Sequence, residues 1–294
     1  MAENNEIEQN NDQQQTKLKF ISPHYKNSQI SQNKLLEFQD FLIQIIDENK
    51  NTFNTSVYFR DLNNGPWLSV NPQNIFDGAS LLKVPTMIAY LKSAENNKNL
   101  LTRKINYEKS FVNDLEYDPI FDQTLKVGQT YTIDDLIKTM IIKSDNTAVR
   151  LLNLASIDET INLQPSIKQT YKSLGLLSDE NEADLISIDQ YSGIYRILYN
   201  AEYLNGEMSN KALEIMSQTD YNNGLKRYLP SDLTVAHKYG IRYYKDSDAY
   251  QLHDCGIIYS STPYILCIMT AGNNLEKQEE TISNIARASF EIFK

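Results

Sequence analysis

Histidine is nearly absent from this chain: His24, His237 and His253 are the only three in 294 residues, and none stands in an HxH or HExxH spacing. A zinc hydrolase needs such clustered donors, so that chemistry is excluded and no metal or other cofactor is implied. His237 beside Lys238 and His253 beside Asp254 read as strand residues rather than ligands. Glycine is sparse too, and its ten copies are scattered, so no phosphate-cradling loop is present. Basic residues are outnumbered, 28 Lys and Arg against 38 Asp and Glu. A net charge of −10 leaves no basic face for nucleic acid or an anionic membrane. Met1 to Thr16 is rich in Asn, Gln and Glu with no apolar run. That start predicts a disordered tether over residues 1–20, with no signal peptide or membrane span in the sequence as written. Contact with a membrane would require an N-terminal anchor that has been removed.

Only two cysteines occur, Cys255 and Cys267, on two predicted strands joined by a turn near Ser260 to Pro263. If that turn centres on Ser261 the two face each other, and both a cross-strand disulfide and a pair of buried free thiols fit.

What is present is a chain long enough for a large core, with 41% apolar residues in readable periods. Leu35 to Ile46 carries a helical stripe of Leu35, Phe38, Phe41, Leu42, Ile45 and Ile46. Thr55 to Leu62 and Trp67 to Val70 read as a hairpin through Asn63-Asn64-Gly65. From Ser80 to about Gln218 the pattern is helical with loops. Strands return at Thr234 to Arg242, Gln251 to Tyr259 and Tyr264 to Ala271, and Glu276 to Phe293 closes as a helix with Ile282, Ile285, Ala286 and Phe290 inward. Strands, then helices, then strands imply an α/β (α+β) part, residues 21–78 plus 225–294, interrupted by an all-α part at 79–224. A cleft between the two would hold the site.

Three short motifs fall in order along this frame. Ser80-Leu81-Leu82-Lys83 follows a turn, Phe76-Asp77-Gly78-Ala79, and opens an apolar helix. Ser80 is therefore expected at a helix start, where unpaired N–H groups and the dipole favour a developing alkoxide, with Lys83 about 4.5 Å further along the same face. A hydroxyl is a weak nucleophile, and a Lys held in a dry cleft beside other cations can lose its proton to serve as its base. Ser144-Asp145-Asn146 stands at a corner between helices, where a hydroxyl can relay a proton and an amide can orient a carbonyl. Lys238-Tyr239-Gly240 lies on a strand whose Gly lets a ligand approach the backbone, with a cation to attract a carboxylate. Each motif alone has an ordinary structural explanation: a capping Ser, a helix N-cap, an edge-strand Lys. Tyr243 and Tyr244, next to the third motif, are candidate cleft residues.

Together and in this order the motifs resemble the class A β-lactamase and penicillin-binding serine hydrolases. The resemblance extends to Ser56-Val57-Tyr58-Phe59-Arg60-Asp61-Leu62, Thr132-Ile133-Asp134-Asp135-Leu136, Ser187-Ile188-Asp189-Gln190-Tyr191 and the last two strands, covering roughly residues 32 to 294. It implies a β-lactamase-like fold, an antiparallel sheet of about five strands flanked by N- and C-terminal helices, with an all-α insertion. It also implies an acyl-enzyme on Ser80, with Lys83 as base, Ser144 as proton shuttle, Asn146 as substrate and lysine ligand, and Lys238 as carboxylate attractor. Gly240 and Arg242 line the substrate side, the N–H of Arg242 completing an oxyanion hole with that of Ser80.

Two departures follow. Tyr239 stands where the family usually carries a short hydroxyl that binds the substrate carboxylate, so either Arg242 takes that carboxylate or the ligand has a different shape. The segment Leu174 to Asp184 is short and lacks the Leu-Asn pair that follows the family's deacylating Glu. Glu180 is the nearest glutamate and reads as a solvated loop residue. The implied partner is a β-lactam, or alternatively a peptide ending in D-Ala-D-Ala; a non-catalytic sensor of the same ligands is the third reading. The resemblance implies a periplasmic or extracellular, cell-surface location and a monomer.

Overall fold

The computed structural model describes residues 19–21, 30–63, 65–108, 124–177 and 185–294. The first helix, α1 (Gln32–Asn49), starts where the Ser31 hydroxyl accepts the N–H of Lys34. It leads into β1 (Phe53–Asp61) and β2 (Trp67–Val70), then β3 (Ile75–Asp77), a 3₁₀ turn at Ala79–Leu82, and α2 (Lys83–Ala94). Next come β4 (Lys104–Asn106), β5 (Thr130–Thr132), α3 (Ile133–Ile142), α4 (Asn146–Ser156), α5 (Ile167–Ser173), β6 (Leu185–Ser187), α6 (Ile188–Tyr199) and α7 (Gly206–Ser217). The chain ends with β7 (Val235–Tyr244), β8 (Ala249–Ile258), β9 (Tyr264–Gly272) and α8 (Leu275–Phe293).

Five strands form one antiparallel sheet in the order β2-β1-β9-β8-β7, so the first and last parts of the chain share a sheet and β7 is its edge. β8 and β9 are buried along most of their length rather than at alternate residues, because helices cover both faces. On one face α1 and α8 pack Phe38, Leu42, Ile282, Ile285 and Phe293 onto Val57 and Phe59. Ring centroids of Phe59 and Phe293 are 4.3 Å apart. The other face meets a second core from α2 to α7, including Met87, Ile137, Met140, Tyr191 and Tyr195. In α8 the buried end is Phe293, while Phe290, expected inward, is only partly buried.

Two short strand pairs, β3 with β6 and β4 with β5, were not readable as strands; β4, β5 and β6 fall within the expected helical region and β3 just before it. With three residues each, they carry no period. Residues 1–18 of the expected tether, Asn64 and His24 lie outside the described residues, but the tether ends earlier than expected, because Phe20 is buried with its ring 5.5 Å from that of Tyr259 and its N–H bonded to Asn210 Oδ1. The two cysteines form a disulfide between β8 and β9, with Cα atoms 3.9 Å apart.

Candidate active site

Ser80 occupies the 3₁₀ turn that precedes α2 rather than the first turn of the helix itself, which begins at Lys83. Asp77 sets this turn: its Oδ1 accepts the N–H of Ala79 at 2.7 Å, and the Leu81 N–H bonds to Gly78 O at 2.9 Å. Ala79 is held at φ +43°, a left-handed conformation that alanine rarely adopts, so the bond to Asp77 fixes the chain just before the nucleophile. Pro85, the third helical residue, lies where an N–H would have no intrahelical partner.

Ser144 lies between α3 and α4 at φ +54° and is fully buried. Asp145 caps α4, its Oδ1 accepting the Ala148 N–H at 2.8 Å, and its Oδ2 accepts the Thr124 N–H at 2.9 Å. Asn146 is the first residue of α4. Lys238 is fully buried on β7.

These elements bring four side chains together, those of Lys83, Ser144, Asn146 and Lys238. Lys83 Nζ donates to Asn146 Oδ1 at 2.7 Å and to the backbone oxygen of Ser144, and it lies 3.2 Å from Ser144 Oγ. From the other side Lys238 Nζ donates to Ser144 Oγ at 2.8 Å. Ser144 is thus the bridge between two lysines, with Ser80, 7% exposed, one turn from Lys83. Burial brings the Lys83 amine down to about 7 against the opposing charge of Asp145, so a large neutral fraction exists at neutral pH. Lys238 is pushed well below its ordinary value, first by burial and then by the Lys83 charge.

Gly240 packs against the Ser80 turn: a Cβ there would lie 3.1 Å from the Ser80 nitrogen and 3.2 Å from that of Leu81. The register decides which amides of β7 face that space. Tyr259 N bonds to Thr234 O, and the disulfide pair has the close spacing of a non-hydrogen-bonded pair. Both place Lys238, Gly240 and Arg242 in hydrogen-bonded positions with β8. The amide of Arg242 therefore points into the sheet, and the amide that turns to the open edge beyond Gly240 is that of Ile241. The Arg242 side chain, half exposed, lies with Nε 3.4 Å from Asp77 Oδ2.

Tyr239 is 7% exposed. Its ring stacks on Tyr221 with centroids 4.0 Å apart, and Lys238 Nζ sits 4.2 Å from its centre. Burial pushes its phenol up to about 12. Sequence reasoning missed Tyr221, which has no motif around it, and the role of Asp77, whose position directly before Gly78-Ala79 was a readable turn signal. His253 donates Nε2–H to Asp77 O at 2.8 Å, and burial holds its imidazole neutral with a value near about 4. His237 pairs with Asp254 at 2.8 Å, both fully buried. Tyr244 donates to Asp77 Oδ2 at 2.7 Å, while Tyr243 is exposed and bonds Asp248. Glu180 lies outside the described residues.

The sheet flanked by helices, with a serine, two buried lysines and a bridging hydroxyl where sheet and helices meet, places the molecule among serine hydrolases built like the β-lactamases. The chain belongs to the β-lactamase enzyme family, whose model matches residues 37–293. Among solved structures it is similar to PBP-A, at 20% identity and a TM-score of 0.70, over 92% of this chain and 99% of that one. It is also similar to a β-lactamase from Chitinophaga pinensis, at 22% identity and a TM-score of 0.73, over 87% of this chain and 98% of the other. A third is a PBP-A variant described as an acyl-enzyme complex with penicillin G, at 21% identity and a TM-score of 0.70, over 88% and 97% of the two chains. At such identities the likeness establishes the fold. No curated protein sequence matches the chain.

Proposed function

We propose that the protein is a serine hydrolase acylated on Ser80 by β-lactams, and that it releases the product slowly. The observation that carries this is the position of Ser144 Oγ between Lys83 Nζ at 3.2 Å and Lys238 Nζ at 2.8 Å, with Lys83 brought to about 7. Ser80 Oγ attacks the lactam carbonyl carbon and its proton passes to neutral Lys83. The oxyanion is met by the N–H of Ser80 and by the amide at the open edge of β7, that of Ile241. The C–N bond breaks as Ser144 delivers its proton to the leaving nitrogen and takes one back from the lysines on either side. Water then cleaves the ester.

Slow release follows from the short segment Leu174 to Asp184, which lacks the Leu-Asn pair of rapid deacylators. The acylation of a PBP-A variant by penicillin G supports the choice of ligand by analogy of fold. Intact-mass measurement after benzylpenicillin tests it. An adduct of the whole antibiotic on the wild type that disappears in Ser80→Ala is expected; no adduct, or one that survives the substitution, contradicts it.

A further inference from the structure

The wall of the site formed by β7 holds two basic side chains, Lys238 and Arg242, and both are already matched within the protein. Lys238 is fully buried, and its three N–H directions are accounted for: Ser144 Oγ at 2.8 Å, Tyr239 O at 3.0 Å, and the Tyr239 ring at 4.2 Å from its centre. One face of the Tyr239 ring is covered by Tyr221 at 4.0 Å and an interplanar angle of 15°. Tyr221 is itself tied down, its hydroxyl donating to Glu279 at 3.0 Å. Arg242 is paired with Asp77, the carboxylate that also holds the Ala79 N–H ahead of the nucleophile. An anionic ligand group that drew Arg242 away would perturb the residue that shapes the Ser80 turn. The overall charge of −10 adds no long-range attraction for an anion.

We infer that the Tyr239–Tyr221 stack is an aromatic platform that covers Lys238, so that the site gains nothing from a free carboxylate on the leaving-group side of an acyl donor and takes an ester or amide there equally well. A peptide ending in D-Ala-D-Ala carboxylate then has no advantage over one whose chain continues past the scissile bond. The inference rests on the acylating role of Ser80, and its test includes a readout that does not need acylation.

Benzylpenicillin and its methyl ester differ in that one charge. Their rates of Ser80 acylation are compared by intact mass after division by their rates of hydroxide hydrolysis. The wild type is expected to acylate with the ester within about threefold of the acid. In Tyr239→Thr, which uncovers Lys238, the acid is expected to gain by about tenfold or more, the size of a charge-assisted hydrogen bond. Tyr239→Phe keeps the ring over Lys238 and keeps the wild-type ratio, which separates the platform from general damage to the fold. In parallel, non-covalent binding of acid and ester to Ser80→Ala is followed by thermal shift, with equal shifts expected. A wild-type preference for the acid of about tenfold in either measurement overturns the inference, as does the absence of any shift with both ligands. Equal shifts on Ser80→Ala without any adduct on the wild type would uphold the platform and refute the acylation.

Discussion

Lys83 and Lys238 place their amines where almost no water reaches, and they share one hydroxyl, Ser144. Burial disfavours the charged form, and Lys83, whose ammonium is partly supported by the charge of Asp145, settles at about 7. The neutral amine is the form that can accept the Ser80 proton. Its fraction grows as pH rises through that value, so acylation should rise with pH and level off above it. At pH 5.5 the rate should be about thirtyfold below the plateau, since each unit below the pKa removes a factor of ten. Stopped acylation reactions read by mass between pH 5.5 and 9 check this. Most site residues were legible at this scale because Ser, Lys, Ser, Asn and Lys sit in three fixed spacings. Tyr221 was not, since it reaches Tyr239 only through the tertiary fold.

Among the elements, the junction of α3 and α4 joins structure to chemistry. Asp145 caps α4 through Ala148, ties down the segment at Thr124, and raises the proton affinity of Lys83 by its charge. Asp145→Asn keeps an oxygen for the cap but removes the charge. The ammonium form of Lys83 then loses support, so the acid limb of the acylation profile should move to lower pH, with the unfolding free energy lowered by about 1 kcal/mol or less. An unmoved or upward-shifted limb would show that Asp145 does not act on Lys83 through charge. Long elements announced themselves by period: α1, α8, β1 and the last three strands fall within about three residues of their expected ends. The start of α2 did not, because a helical stripe cannot distinguish a 3₁₀ turn from the helix that follows it. The edge-facing amide beyond Gly240 is that of Ile241 rather than of Arg242 for a similar reason, since hydrogen-bond parity in β7 is set by its pairing with β8.

On the scale of the whole molecule, the parts of the candidate site come from distant stretches of chain: a turn after β3, the α3–α4 corner and an edge strand near the end. What aligns them is the sheet, in which β1 pairs with β9 across more than 200 positions of sequence. The Cys255–Cys267 disulfide joins β8 to β9, and Cys255 is the register partner of Lys238. It closes a loop of sequence separation 12, so its loss should lower the unfolding free energy by about 3 kcal/mol. Guanidinium unfolding of Cys255→Ala/Cys267→Ala, with an unchanged midpoint as the contrary result, measures it. The composition argues against metal hydrolysis and nucleic-acid binding, but does not say which ligand the cleft prefers, because that depends on how Tyr239 and Arg242 are already paired.

The central claim is that Ser80 makes the covalent bond and holds it. Peptide mapping of benzylpenicillin-treated protein, sampled from seconds to hours after removal of free antibiotic, tests it most directly. The account predicts the adduct on the peptide containing Ser80, persisting well beyond the time it takes to form. An adduct on any other residue, or its loss as fast as it forms, would contradict it.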